Sequence, residues 1–171
     1  MKVRMLMSAA LALISIAAYA HDDAHQGVMP GMMHGKAGGG HSATDGHAQG
    51  VGKPGNPKQV SRTIQVLMSD EMKFTPAKVN VKRGETIRFA VRNAGQVKHE
   101  MVIGSMAELK QHAELMRRMP GMEHDEPNMV ALAPGESGEL VWKFTKAGTV
   151  DFACLQPGHF EAGMMGAVLV K

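Results

Sequence analysis

The chain has 171 residues, 19 of them basic and 16 acidic, with a formal net charge of +3, 44% hydrophobic residues and 4% aromatic ones. That length suits one domain with room for a tail, and the absence of a basic block interleaved with aromatics argues against nucleic acid as a partner. One cysteine excludes an intrachain disulfide, and a free thiol in an oxidising compartment is better explained by a bound metal.

Residues 1–20 read as a secretory signal. Lys2 and Arg4 supply the basic start, Leu6 to Ile16 the apolar stretch, and Ala18-Tyr19-Ala20 the cleavage pattern. The apolar stretch is shorter than the roughly 20 residues a membrane-spanning helix needs. Cleavage without membrane insertion is therefore expected, placing the mature chain, from His21, in the periplasm with 17 basic and 16 acidic residues. Residues 21–60 contain many Gly, His and Met and almost no large aliphatic side chain. They cannot bury enough apolar surface to offset ordering entropy, which predicts a disordered tail.

From Ser61 the pattern changes, and residues 61–171 are expected to form the folded domain. Ile64, Val66 and Met68 alternate, then Phe74, Val79 and Val81, then Ile87, Phe89 and Val91. Later come Leu140, Trp142 and Phe144, Val150, Phe152 and Cys154, and Ala167 to Val170. Short period-2 runs separated by Gly, Pro and Asn signal an all-β antiparallel sandwich or barrel of seven or eight strands. One helical insertion interrupts them over about 105–119, where Ser105 and Glu108 form a capping box and Pro120-Gly121 stops the helix.

The sharpest chemical signal is Cys154-Leu155-Gln156-Pro157-Gly158-His159-Phe160-Glu161-Ala162-Gly163-Met164. A thiolate, an imidazole and a thioether on one short loop, with His99 as a second imidazole upstream, make the trigonal donor set with a weak axial methionine that suits blue copper. Thiolate and thioether favour Cu(I), and imidazole also holds Cu(II).

These residues carry a family resemblance. Residues 61–171 resemble a cupredoxin, a Greek-key β-sandwich. Met72-Lys73-Phe74-Thr75-Pro76, Val79-Asn80-Val81 and Gly84-Glu85 are similar to the opening of that fold, and Arg92-Asn93-Ala94-Gly95 before His99 to its first ligand loop. The Cys154-x4-His159-x4-Met164 spacing resembles the longer ligand loop of rusticyanin. The whole is most like exported copper-tolerance cupredoxins of the CopI type, which carry a His/Met-rich N-terminus and a Met-containing insertion. The resemblance implies one type 1 copper centre held by His99, Cys154 and His159, with Met164 as axial ligand in preference to Met165. It implies an electron route through the His159 ring edge beside Pro157, Phe160 and Met165. Where many cupredoxins have Asn or Ser after the first histidine this chain has Glu100, whose carboxylate has three possible roles: bonding the cysteine loop, pairing elsewhere or perturbing the copper.

Further soft donors lie outside that centre. Met29-Pro30-Gly31-Met32-Met33-His34 is echoed by Met119-Pro120-Gly121-Met122-Glu123-His124. A Pro-Gly turn brings flanking thioethers together, and both segments are read as accessory copper sites. After cleavage the amino group and imidazole of His21, with His25 or His34, offer a further Cu(II) chelate. No phosphate loop, His-Glu-x-x-His or Cys-x-x-Cys occurs. No enzymatic activity is expected beyond weak Cu(I) oxidation. The expected role is copper tolerance by binding, buffering or oxidising periplasmic copper, with a redox protein or copper export system as partner. The alternative is blue-copper electron transfer between redox partners.

Overall fold

Strand-forming alternation dominates the chain, and the computed structural model, which describes residues 50–119 and 125–171, arranges the strands in two facing sheets. The strands are β1 (Lys53–Pro54), β2 (Arg62–Ser69), β3 (Lys73–Thr75), β4 (Lys78–Val81), β5 (Thr86–Asn93), β6 (His99–Gly104), β7 (Met129–Leu132), β8 (Ser137–Lys143), β9 (Gly148–Ala153) and β10 (Met165–Val170). A 3-10 turn at Pro57–Gln59 and one helix, α1 (Met106–Arg118), complete the described elements. One sheet runs β1-β8-β5-β2-β3 and the other β4-β10-β9-β6-β7. This is the expected Greek-key sandwich with one helical insertion.

The core lies between the sheets. Val66, Met68, Ile87, Phe89, Val91, Leu140 and Trp142 come from one side, and Met101, Ile103, Val150, Phe152 and Val168 from the other. Phe74 meets Phe152 across the core edge to face, with ring centroids 5.1 Å apart, an orientation the ring quadrupole favours.

Strand β6 is buried along its whole length. Met101 and Ile103 face the core, while Val102 points to the outer face, where Leu109, Ala113 and Met116 of α1 cover it. Their spacing of four and three residues puts those side chains on one helical stripe. The predicted capping box is present: Ser105 Oγ accepts from the Glu108 N–H, and the Glu108 carboxylate accepts from the Ser105 N–H at 2.8 Å. Arg117 and Arg118 in the last turn both pair with Glu114, and cations at that end suit the helix dipole. The helix ends at Met119, before the residues expected to stop it, Pro120 and Gly121, which lie outside the described residues.

Residues 50–60, which composition assigned to a disordered tail spanning 21–60, belong to the folded sandwich. Val51 is buried in the main core, its carbonyl accepts from the Trp142 indole N–H at 3.2 Å, and Lys53 and Pro54 pair with Lys143 and Trp142 of β8. A buried indole needs an acceptor, and this segment supplies it. At Gly52 a Cβ would stand 2.4 Å from the Lys143 carbonyl oxygen, so the close approach requires glycine. Two further corrections concern the sheets. Among the described residues there are ten strands, nine of them within 61–171 where seven or eight were expected, because a three-residue strand such as β3 is too short to show a period. Not all pairings are antiparallel: β2 runs parallel to β5, and β4 to β10. Period-2 burial fixes which side chains face inward but not strand direction, and the chain changes sheets between β3 and β4. The signal expected at 1–20 and the tail up to residue 49 lie outside the described residues; among the rest no helix is long and apolar enough to cross a membrane.

Candidate metal centre

His99 opens β6 and Cys154 immediately follows β9, and the antiparallel pairing of these strands sets the start of one beside the end of the other. From Cys154 the chain makes a closed loop back to β10. The Cys154 N–H donates to the Met164 carbonyl at 3.1 Å, the Met164 N–H to the His159 carbonyl at 3.0 Å, and the His159 N–H to the Gln156 carbonyl at 2.9 Å. Gly158 and Gly163 take the left-handed turns the loop needs, with φ of 86° and 89°, a conformation glycine adopts without steric penalty.

The loop delivers its donors to His99. One donor atom from each of His99, Cys154 and His159 lies within 4.8 Å of the others. Cys154 Sγ is 3.2 Å from His159 Nδ1 and 3.9 Å from His99 Nδ1. The two imidazole rings stand 4.8 Å apart, tilted by 51°. His99 and Cys154 are fully buried, while His159 is half-buried and so the ligand candidate nearest solvent. Met164 is buried in the same core cluster as Cys154. Met165, the competing axial candidate, begins β10 and packs against the apolar layer under α1 instead. The two thioethers thus lie in different apolar clusters. A soft sulfur with two imidazoles fits copper in either oxidation state.

Glu100 is buried and ties the two ligand loops together. Its carboxylate accepts from the Leu155 N–H at 3.0 Å and the Gln156 side-chain amide at 2.9 Å, and its own N–H points at Cys154 Sγ at 3.4 Å. Of the three roles open to this residue, bonding the cysteine loop is the observed one. Asn93 braces the first ligand loop in the same way. Its side chain donates to the Val97 and Leu132 carbonyls and accepts from the Gly95 N–H.

Burial pushes the Cys154 thiol up to about 12 against the opposing pull of the Glu100 and Gln156 N–H groups, with the Glu100 charge adding to the rise. The metal-free thiol is therefore protonated at neutral pH. Burial, and then the neighbouring His99, lower His159 below the usual imidazole value. That ring is neutral at pH 7 and ready to coordinate.

Sequence reading overlooked Asp70. It sits in the turn between β2 and β3, where Oδ1 lies 3.0 Å from His99 Nε2 and Oδ2 accepts from the Gln96 N–H at 2.7 Å. The Gln96 bond first, and the His99 contact second, hold its carboxyl below the ordinary range. A turn acid 29 residues from its partner leaves no local signal. Of the accessory copper candidates, Met119 is exposed at the end of α1. His21, His25, Met29, Met32, Met33, His34, Met122 and His124 lie outside the described residues.

The profile of copper-binding proteins of the plastocyanin/azurin family matches residues 61–171, and the chain belongs to that family. Along its full length it is also similar to the copper-resistant cuproprotein CopI of Rubrivivax gelatinosus, 48% identical with all of both chains covered. It is 36% identical to the CopI of Vibrio cholerae over 96% of this chain and 97% of that one. CopI of Pseudomonas aeruginosa is 37% identical, covering 75% and 87%. Among solved structures, auracyanin from Roseiflexus castenholzii superposes with a TM-score of 0.54 at 24% identity, covering 66% of this chain and 98% of that one. Auracyanin B gives 0.57 at 22%, covering 71% and 96%. These two share the fold.

Proposed function

We propose that the chain is an exported copper-tolerance protein that holds one type 1 copper at His99, Cys154 and His159, with Met164 as weak axial donor, and binds, buffers or oxidises surplus periplasmic copper. The observation that carries the copper site is the convergence of one thiol and two imidazoles within 4.8 Å. The tolerance role draws on full-length similarity to a protein named for copper resistance, and export on the signal pattern ending at Ala20. A copper ion bound there would supply one-electron redox chemistry. The chain's own groups prepare for it. The Glu100 N–H faces the sulfur, the Glu100 carboxylate fixes the cysteine loop against the histidine strand, and His159 offers the ring nearest solvent. A ligand frame held this way limits rearrangement between oxidation states.

In this reading surplus copper is cargo rather than substrate of an enzyme, and the Met-Pro-Gly-Met-x-His segments and His21 are its accessory sites. A strain lacking the gene is expected to become copper-sensitive with respiration intact, and purified protein to carry more than one copper per chain. A respiratory defect with normal tolerance, or one copper per chain regardless of supply, would favour the second reading, electron transfer between redox partners. The specific observation behind that alternative is the single His-Cys-His cluster with one half-buried imidazole.

A further inference from the structure

We infer that Asp70 is a positioning residue for the metal centre: its carboxylate fixes His99 as the Nε2–H tautomer, strengthens Nδ1 as a donor, and biases the centre toward cupric copper. The inference rests on the reading of His99 as a ligand. His99 is fully buried, so both ring nitrogens need partners. Nδ1 faces the Cys154 sulfur at 3.9 Å, and Nε2 faces Asp70 Oδ1 at 3.0 Å. Oδ1 of a carboxylate accepts and cannot donate, so the proton belongs on Nε2 and the lone pair on Nδ1, toward the site.

Asp70 is itself held. Oδ2 accepts from the Gln96 N–H at 2.7 Å, with the Val97 N–H 3.5 Å from Oδ1. At Gly95 a Cβ would stand 2.0 Å from Oδ1 and 3.1 Å from His99 Nε2, so glycine alone leaves room for the contact. Strand β2, which leads into the turn bearing Asp70, is also tied to the ligand loop by the Ala94 N–H on the Met68 carbonyl at 2.9 Å. Asp70 lies in a turn joining two strands of one sheet, and His99 opens a strand of the other. The fold therefore builds the contact from its own hydrogen bonds.

A backbone carbonyl in this place would set the same tautomer. A carboxylate adds net negative charge beside the ligand, which favours a doubly over a singly charged ion. Asp70 is 39% exposed, so solvent screens part of that charge.

The test compares the full chain with its Asp70→Asn and Asp70→Ala variants. Nitrogen NMR of the metal-free wild type should show His99 protonated on Nε2, and Asp70→Ala should give a mixture of tautomers. Competition titrations with Cu(II) and with Cu(I) should show cupric affinity falling roughly ten- to a hundredfold in Asp70→Ala, and cuprous affinity falling less. Each tenfold gap between the two raises the one-electron reduction potential by about 59 mV. Asp70→Asn keeps an oxygen acceptor without the charge, so it should hold the tautomer yet still raise the potential. It also serves if the alanine variant does not fold. A potential unchanged in both variants, with stability alone reduced, would make Asp70 a structural staple and overturn the inference. So would a wild-type His99 carrying its proton on Nδ1. If the wild type binds no copper at His99, the copper reading and the redox half of this inference fall together while the tautomer result stands, so the two failures are distinguishable.

Discussion

In the metal-free protein the Cys154 thiol is buried beside two imidazoles, and its pKa of about 12 means that a metal must displace a proton to reach the sulfur. Copper loading at pH 7 should therefore release about one proton per ion from this residue and tighten as the pH rises. Titration in weakly buffered solution measures the release, and Cys154→Ser should lose both the release and the strong visible colour of the loaded protein. Asp70 acts at the other end of the pH scale. Its folded value lies below the ordinary 3.8, so the stability it lends is fully present above that value and is lost as the pH falls through the depressed one. Acid unfolding of the metal-free Asp70→Asn variant should start from lower stability at pH 7 and decline less steeply below pH 4. Cys154, His159 and Met164 could be read together because they lie within eleven residues on one loop that the lone cysteine marks, whereas His99, 55 residues upstream, was found through the resemblance of Arg92-Asn93-Ala94-Gly95 to a first ligand loop. Asp70 was not, because nothing short-range links a turn after β2 to a histidine that opens β6.

Helix α1 and the clamp at Glu100 are the elements that shape the site from outside. The helix covers Val102 and Ala153, the outer faces of the two strands that carry the buried ligands. Leu109→Ala would empty the centre of that layer and should destabilise the protein by about 2–5 kcal/mol, and Ser105→Ala, which removes the cap, by about 1 kcal/mol. Chemical denaturation checks both. Glu100→Ala should cost about 1–3 kcal/mol by leaving the buried Leu155 N–H without its acceptor, and should broaden the visible band as the cysteine loop loosens. The start of α1 was readable from Ser105 and Glu108, since a capping box is a local device. Its burial face followed from spacing once β6 was known to lie beneath it. The parallel pairings of β2 with β5 and β4 with β10 were not readable, because alternation is the same whichever way a neighbouring strand runs.

At the scale of the molecule, the sandwich begins earlier than its composition suggested. Residues 50–60 look like tail, yet Val51 fills a place in the core and satisfies the Trp142 indole. A chain beginning at residue 50 should melt close to the full-length protein, whereas one beginning at residue 61 should be weaker by at least about 1–3 kcal/mol, the cost of one unsatisfied buried donor. Thermal unfolding followed by Trp142 emission reads this directly. The point of attachment also matters. Lys53 pairs with Lys143, which faces Thr86 at the start of β5, whereas the ligand loops gather beyond Asn93 at the other end of that eight-residue strand. Roughly 23 Å of strand separates those ends. Lys53 and Pro54 therefore join the sandwich at the end remote from the His99, Cys154 and His159 cluster. A chain truncated to begin at residue 50 and immobilised through that residue would accordingly be held by the end remote from His159.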